Sequence, residues 1–118
     1  SLEGARLALA DLRRATFTRA ALGGADFTSA DLRDAILTEA RAAGATFRGA
    51  RLAGADLSHL AAEGADFADA DLSGCNLHAL RADKASFRGA RRDGARETDV
   101  ERLEAEAWRP PAQKRDDP

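Results

Sequence analysis

A chain of 118 residues with a net charge of −2 has room for one domain at most, and for a modest core. Charged residues make up 32% of it, yet acidic and basic side chains balance through residue 95. It therefore lacks the basic stripe of a general nucleic-acid binder. One cysteine excludes an internal disulfide, and no apolar run approaches the ~20 residues of a membrane-spanning helix. No signal peptide is legible, so the expected location is cytoplasmic.

The chain opens on a period. One large apolar residue recurs every five, at Leu2, Leu7, Leu12, Phe17, Leu22, Phe27, Leu32 and Leu37. After Ala42 the row continues with Phe47, Leu52 and Leu57, then Ala62, Phe67, Leu72, Leu77, Ala82 and Phe87. The high alanine content invites a helical reading, but the period excludes it. Five residues rotate a position by about 140° around a helix, so no single face could collect the row. Two places before each large residue sits a small one, from Ala5 to Ala90, interrupted by Leu60, Cys75 and Leu80. The residue between is often polar and short: Asp11, Asp26, Asp31, Asp56, Asp66, Asp71 and Asn76. Such side chains bond free backbone groups at turns. Because the period is already in phase at Leu2 with no initiator Met, a processed start or a piece of a longer protein is expected.

These A-(D/N)-(L/F)-x-x units, about 18 in succession over residues 2–91, resemble the pentapeptide repeat family. The resemblance implies an all-β solenoid, a right-handed quadrilateral β-helix in which four units make one square coil. The residues test that coil length independently. Phe27, Phe47, Phe67 and Phe87 are spaced by twenty, and so are Leu12, Leu32, Leu52 and Leu72, and Leu37, Leu57 and Leu77. A fivefold repeat alone would not sort Phe and Leu into columns. These residues are the expected core. The stack is about 4.5 coils, roughly 22 Å tall at a strand spacing of roughly 4.8 Å.

Irregularities in the repeat carry further expectations. Leu60 and Leu80 replace a small residue where the following large one is Ala62 or Ala82, which conserves volume. Ala40 with Ala42 has no such compensation, and looser packing or a local shift is expected there. Cys75 occupies a small inward slot and reads as a buried hydrophobe. The repeat decays where Arg92 and Glu97 fall on inward positions. Then Thr98-Asp99-Val100-Glu101 reads as a capping box, with Thr98 as the cap.

Domain boundaries follow: a β-helix over 1–95, a short C-terminal helix over 96–109 and a disordered polar tail over 110–118. Val100, Leu103 and Ala107 fall on one helical face with Trp108 beside them. That face is expected to plug the last coil or to contact a partner. The first coil has no comparable cap, so an open edge or a helix end could form a homodimer.

Chemistry is sparse. A solid axis holds no substrate, and the walls show no nucleophile–base–orienter set, so no enzyme activity and no cofactor are expected. His59 and His78 come close on one wall, with Glu39 stacked above His59. Exposed, unpaired histidines are expected there, not a metal site, which needs three placed ligands. The expected function is a structural, protein-binding scaffold, with an unidentified protein partner and neither nucleic acid nor membrane. Some members of the family it resembles mimic B-form DNA and bind type II topoisomerases, protecting them from quinolones. That alternative needs a sustained acidic face. Here Arg51 and Arg91 interrupt the column of Asp11, Asp31 and Asp71, and Arg48 and Arg88 interrupt Asp26, Asp66 and Asp69.

Overall fold

The computed structural model describes residues 1–109. The tail expected over 110–118 lies outside them. From Leu2 to Arg96 the backbone winds as a solenoid whose strands are reduced to single bridges. Every bridge is parallel and joins residues twenty apart, in four ladders. One runs Arg6, Asp26, Thr46, Asp66, Ser86; the next runs Asp11, Asp31, Arg51, Asp71, Arg91. The others run Thr16, Ile36, Asp56, Asn76, Arg96 and Ala21, Arg41, Ala61, Arg81. Four ladders at one twenty-residue register make four walls, which is the square coil that the Phe and Leu columns predict.

Each unit turns the same way. The residue after the turn donates its N–H to the carbonyl three back, as in Ala30 to Phe27 at 3.0 Å. The third residue of the turn has positive φ at every fifth position from Gly4 to Gly94. This is the type II pattern, for which glycine is the unstrained choice. Ten of these positions nevertheless carry a side chain, Leu9 at φ 64° and His59 at φ 56° among them. Between turns, strand amides bond to the neighbouring coils: Phe27 N–H donates to the Thr46 carbonyl at 2.8 Å and Asp26 N–H to that of Ala5 at 2.8 Å. The short polar residues secure the corners. The side chains of Asp26, Asp56, Asp66, Asp71 and Asn76 each accept the backbone N–H two residues on, at 2.9–3.1 Å.

The axis is filled by the predicted columns. Phe27, Phe47 and Phe67 are fully buried, as are Leu32, Leu37, Leu52, Leu57 and Leu72, with Leu77 nearly so. Leu12 and Phe87, in the end coils, are half-buried. The four Phe rings stack face to face, with centroids 4.8–5.0 Å apart and planes within 3°. Phe17 closes one end edge-on at 6.0 Å. At the other end the Arg92 guanidinium lies 4.9 Å from the centre of the Phe87 ring. An inward arginine that looked like decay of the repeat therefore lids the aromatic stack.

No backbone shift accompanies Ala40 and Ala42. Both are fully buried, Ala61 N–H still bonds the Ala40 carbonyl at 3.0 Å, and Ala42 N–H bonds that of Ala61 at 2.7 Å. Leu22 one coil before and Leu60 one coil after are fully buried in the two adjoining columns. Bulk thus passes from one column to the other across the alanine pair. Cys75 is fully buried and its thiol donates to the Leu52 carbonyl at 2.9 Å. Burial pushes that thiol up to about 12.

Among the described residues there is one α-helix, α1, at Val100–Ala107, shorter than the expected 96–109. Its cap is Asp99, whose carboxylate accepts the Arg102 N–H at 3.0 Å. The expected cap, Thr98, is spent elsewhere: its hydroxyl accepts the Ala79 N–H of the wall at 3.2 Å. The expectation that this helix plugs the last coil is not met. Phe87, Ala90 and Ala95 of that coil stay partly exposed, while α1 doubles back along one wall.

Candidate functional site

The column Arg19, Glu39, His59, Ala79 runs along one corner of the solenoid, each residue twenty from the next. Asp99 is the next member of that row, and there the chain leaves the coil and reverses into α1. Eight helical residues at 1.5 Å rise cover about 12 Å, or between two and three coils. This brings the end of α1 back to His59. Its Glu106 sits between the two histidines: His59 Nε2 lies 3.0 Å and His78 Nε2 2.9 Å from Glu106 Oε1. The other carboxylate oxygen accepts from Arg102 Nε at 3.0 Å, one helical turn back. The two imidazoles meet edge to face, centroids 5.2 Å apart.

The expectation of exposed, unpaired histidines is overturned for both. His78 is only 2% exposed, and each ring holds the same carboxylate oxygen. The wall itself positions them, because residues 58 and 78 share a column. The third partner is not Glu39, which instead lies 3.9 Å from Arg19. Glu106 went unrecognised because it is 28 residues from His78 and 47 from His59, and nothing in a short polar helix announces the direction in which it folds.

Two histidines and a carboxylate are a plausible metal set, and the three ligand-type atoms lie within 4.8 Å of one another. The hydrogen bonds decide between a cation and a proton. The backbone N–H of Asp99 donates to His78 Nδ1 at 3.1 Å. The neutral ring therefore carries its proton on Nε2, the nitrogen aimed at Glu106. A metal on Nε2 would move that proton to Nδ1, against the Asp99 N–H. Metal-bound histidines normally point their second nitrogen at an acceptor. The arrangement is a carboxylate held by two N–H donors and an arginine. These interactions, that from His78 foremost, hold Glu106 down at about 2 against the opposing effect of burial.

Of the other expected contact residues, only Leu103 is half-buried, in a groove shared with Leu80, Ala79 and Thr98. Val100 and Trp108 are 61% and 64% exposed, and Ala107 is exposed too. The hydrophobic face of α1 is therefore mostly turned from the solenoid.

Four carboxylates of the acidic columns lie beside arginines, whereas Asp26 and Asp69 have no ion pair among the described residues. Arg13 pairs with Asp11 at 2.8 Å, Arg33 with Asp31 at 2.7 Å and Arg48 with Asp66 at 3.3 Å. Arg51 and Arg91 approach Asp31 and Asp71 at 3.9 and 3.8 Å. No helix among the described residues is long and apolar enough to cross a membrane.

The family model for pentapeptide repeats matches in eight copies, over residues 1–34, 25–59 and 50–89. Among solved structures the chain is similar to HetL, a pentapeptide repeat protein involved in heterocyst differentiation regulation from the cyanobacterium Nostoc sp. strain PCC 7120. Identity is 32% over 80% of this chain, with a TM-score of 0.68. It is also similar to Rfr23 of the cyanobacterium Cyanothece 51142, at 26% identity over 75% of this chain and 57% of that one, with a TM-score of 0.57. QnrB1, a plasmid-mediated fluoroquinolone resistance protein, matches at 26% identity over 68% of this chain and 47% of that one, but with a TM-score of only 0.39. The chain spans 46% of the length of HetL. No curated protein matches it.

Proposed function

This chain belongs to the pentapeptide repeat family, and from that premise we propose that it works as a non-catalytic scaffold whose walls bind a protein partner, as one module of a larger protein. The observation that carries this reading is the filled axis. Phe, Leu and Ala fill the interior of the stack, so its walls and coil ends are what face other molecules. Those walls repeat their side chains at one-coil intervals, which suits a partner with a matching linear array. The exposed Val100 and Trp108 of α1 offer a second, apolar contact.

The topoisomerase-binding alternative draws little support from the walls, because Asp11, Asp31, Asp66 and Asp71 of their acidic columns each have an arginine within 2.7–3.9 Å. Exposed pairs of this kind leave little net field for a partner to read. Two measurements test the reading together. Affinity capture should recover a protein partner with the intact chain, but not with Arg51→Glu/Arg91→Glu of unchanged circular dichroism. Gyrase supercoiling, with and without a quinolone, should be unaffected at micromolar chain. Inhibition or drug protection would replace the scaffold by the DNA mimic.

A further inference from the structure

We propose that α1 is a releasable arm, held to the solenoid wall by a single carboxylate clamp, Glu106 between His59 and His78, so that its docking is coupled to a proton. The remaining attachments are thin. No residue of α1 is buried, and beyond the clamp the junction rests on the half-buried Leu103 and two bonds at its base. These are Asp99 N–H to His78 Nδ1 at 3.1 Å and Ala79 N–H to the Thr98 hydroxyl at 3.2 Å. An eight-residue helix is not stable alone in water. Releasing the clamp therefore melts the arm, uncovers the His78 ring and withdraws Leu103 from the adjoining groove, which measures about 730 Å³ with the arm docked.

The clamp depends on charge and on tautomer. Glu106 Oε1 takes both imidazole N–H groups and Oε2 takes Arg102, so a proton on the carboxyl displaces a donor. The groups facing Glu106 are His59 and His78 from the wall and Arg102 from its own helix. Arg19, Glu39, Arg41 and Arg81 line the groove beside them. The sign follows from a carboxyl held below its ordinary range, at about 2. Docking is at full strength above the ordinary glutamate range of about 4.3 and is lost as pH falls from there toward 2.

The chain's one tryptophan, Trp108, sits at the C-cap of α1, so its fluorescence anisotropy reads the arm and not the solenoid. At neutral pH, Glu106→Ala should lower that anisotropy and remove amide-exchange protection over 103–107 by at least about tenfold. The circular dichroism of the coils should stay unchanged. In the unsubstituted chain, acid should produce the same loss of anisotropy before the coils unfold, and Glu106→Ala should show no such step. The proposal fails if Glu106→Ala keeps its anisotropy and protection. It fails equally if stoichiometric zinc raises the melting temperature of the unsubstituted chain but not of Glu106→Ala, because the cluster would then be a metal centre.

Discussion

Replacing Phe67 by alanine interrogates the aromatic column at its most enclosed point. The ring is fully buried and stacked on both sides, 4.8 Å from Phe47 and 5.0 Å from Phe87. A buried phenylalanine removes on the order of 150–250 Å² from water, which at about 25 cal/mol/Å² is worth about 4–6 kcal/mol. Residual structure in the unfolded chain lowers this, so the expected loss is about 3–5 kcal/mol, in line with other buried aromatic truncations. Phe87→Ala supplies the internal comparison. That ring is half-buried, with one aromatic neighbour and Arg92 on its other side. Its removal should cost about half as much, since it weakens a single coil–coil interface. Urea unfolding followed by far-ultraviolet circular dichroism measures both, with Arg48→Ala as a surface reference within about 0.5 kcal/mol. Equal losses at Phe67 and Phe87, or a Phe67 loss no larger than that at Arg48, would refute the idea that the column carries the stability.

Leu9→Gly should stabilise the chain by about 0.5–1 kcal/mol, because a leucine at φ 64° that is 80% exposed gains little from burial and pays for a left-handed backbone; a lower urea midpoint would contradict this. Cys75, with its thiol pushed up to about 12 by burial, should resist a thiol reagent at neutral pH in the folded chain and react at once in denaturant. Rapid labelling without denaturant would show that the slot opens to solvent. Asp31, held at about 2 chiefly by the Arg33 side chain, should support the fold fully above the ordinary aspartate range of about 3.9 and cease to do so as pH falls toward 2. An Asp31 carboxyl that titrates by NMR at its ordinary value would remove that contribution.

Much of the solenoid was legible because its order is local and repeated. A residue's column is its position modulo twenty, and the Phe and Leu columns reveal that number directly. The corner chemistry was equally plain, since Asp26 and Asn76 bond an amide only two residues away. What escaped was non-local or contrary to rule. The glycines hinted at the positive-φ corners, but Leu9 and Arg14 adopt the same backbone without glycine, held there by amide bonds to the next coil, as does Ala79, whose N–H bonds the Thr98 hydroxyl. The helix was foreseen, its destination was not. That destination hangs on the Glu106 contact with two histidines and on Thr98 serving the wall instead of the helix. Neither choice leaves a periodic trace.

The twenty-residue bridge register also restricts how such a chain can change length. Excising five residues between His78 and Phe87 would leave every remaining corner chemically acceptable. It would nonetheless rotate all that follows by a quarter turn, setting Phe87 beneath Ala62 and carrying the Glu106 arm to a face without histidines. Excising twenty would shorten the column and restore each side chain to a like neighbour. Insertions and deletions in this architecture are thus quantised, with whole coils as the tolerated unit and single repeats as frameshifts in space.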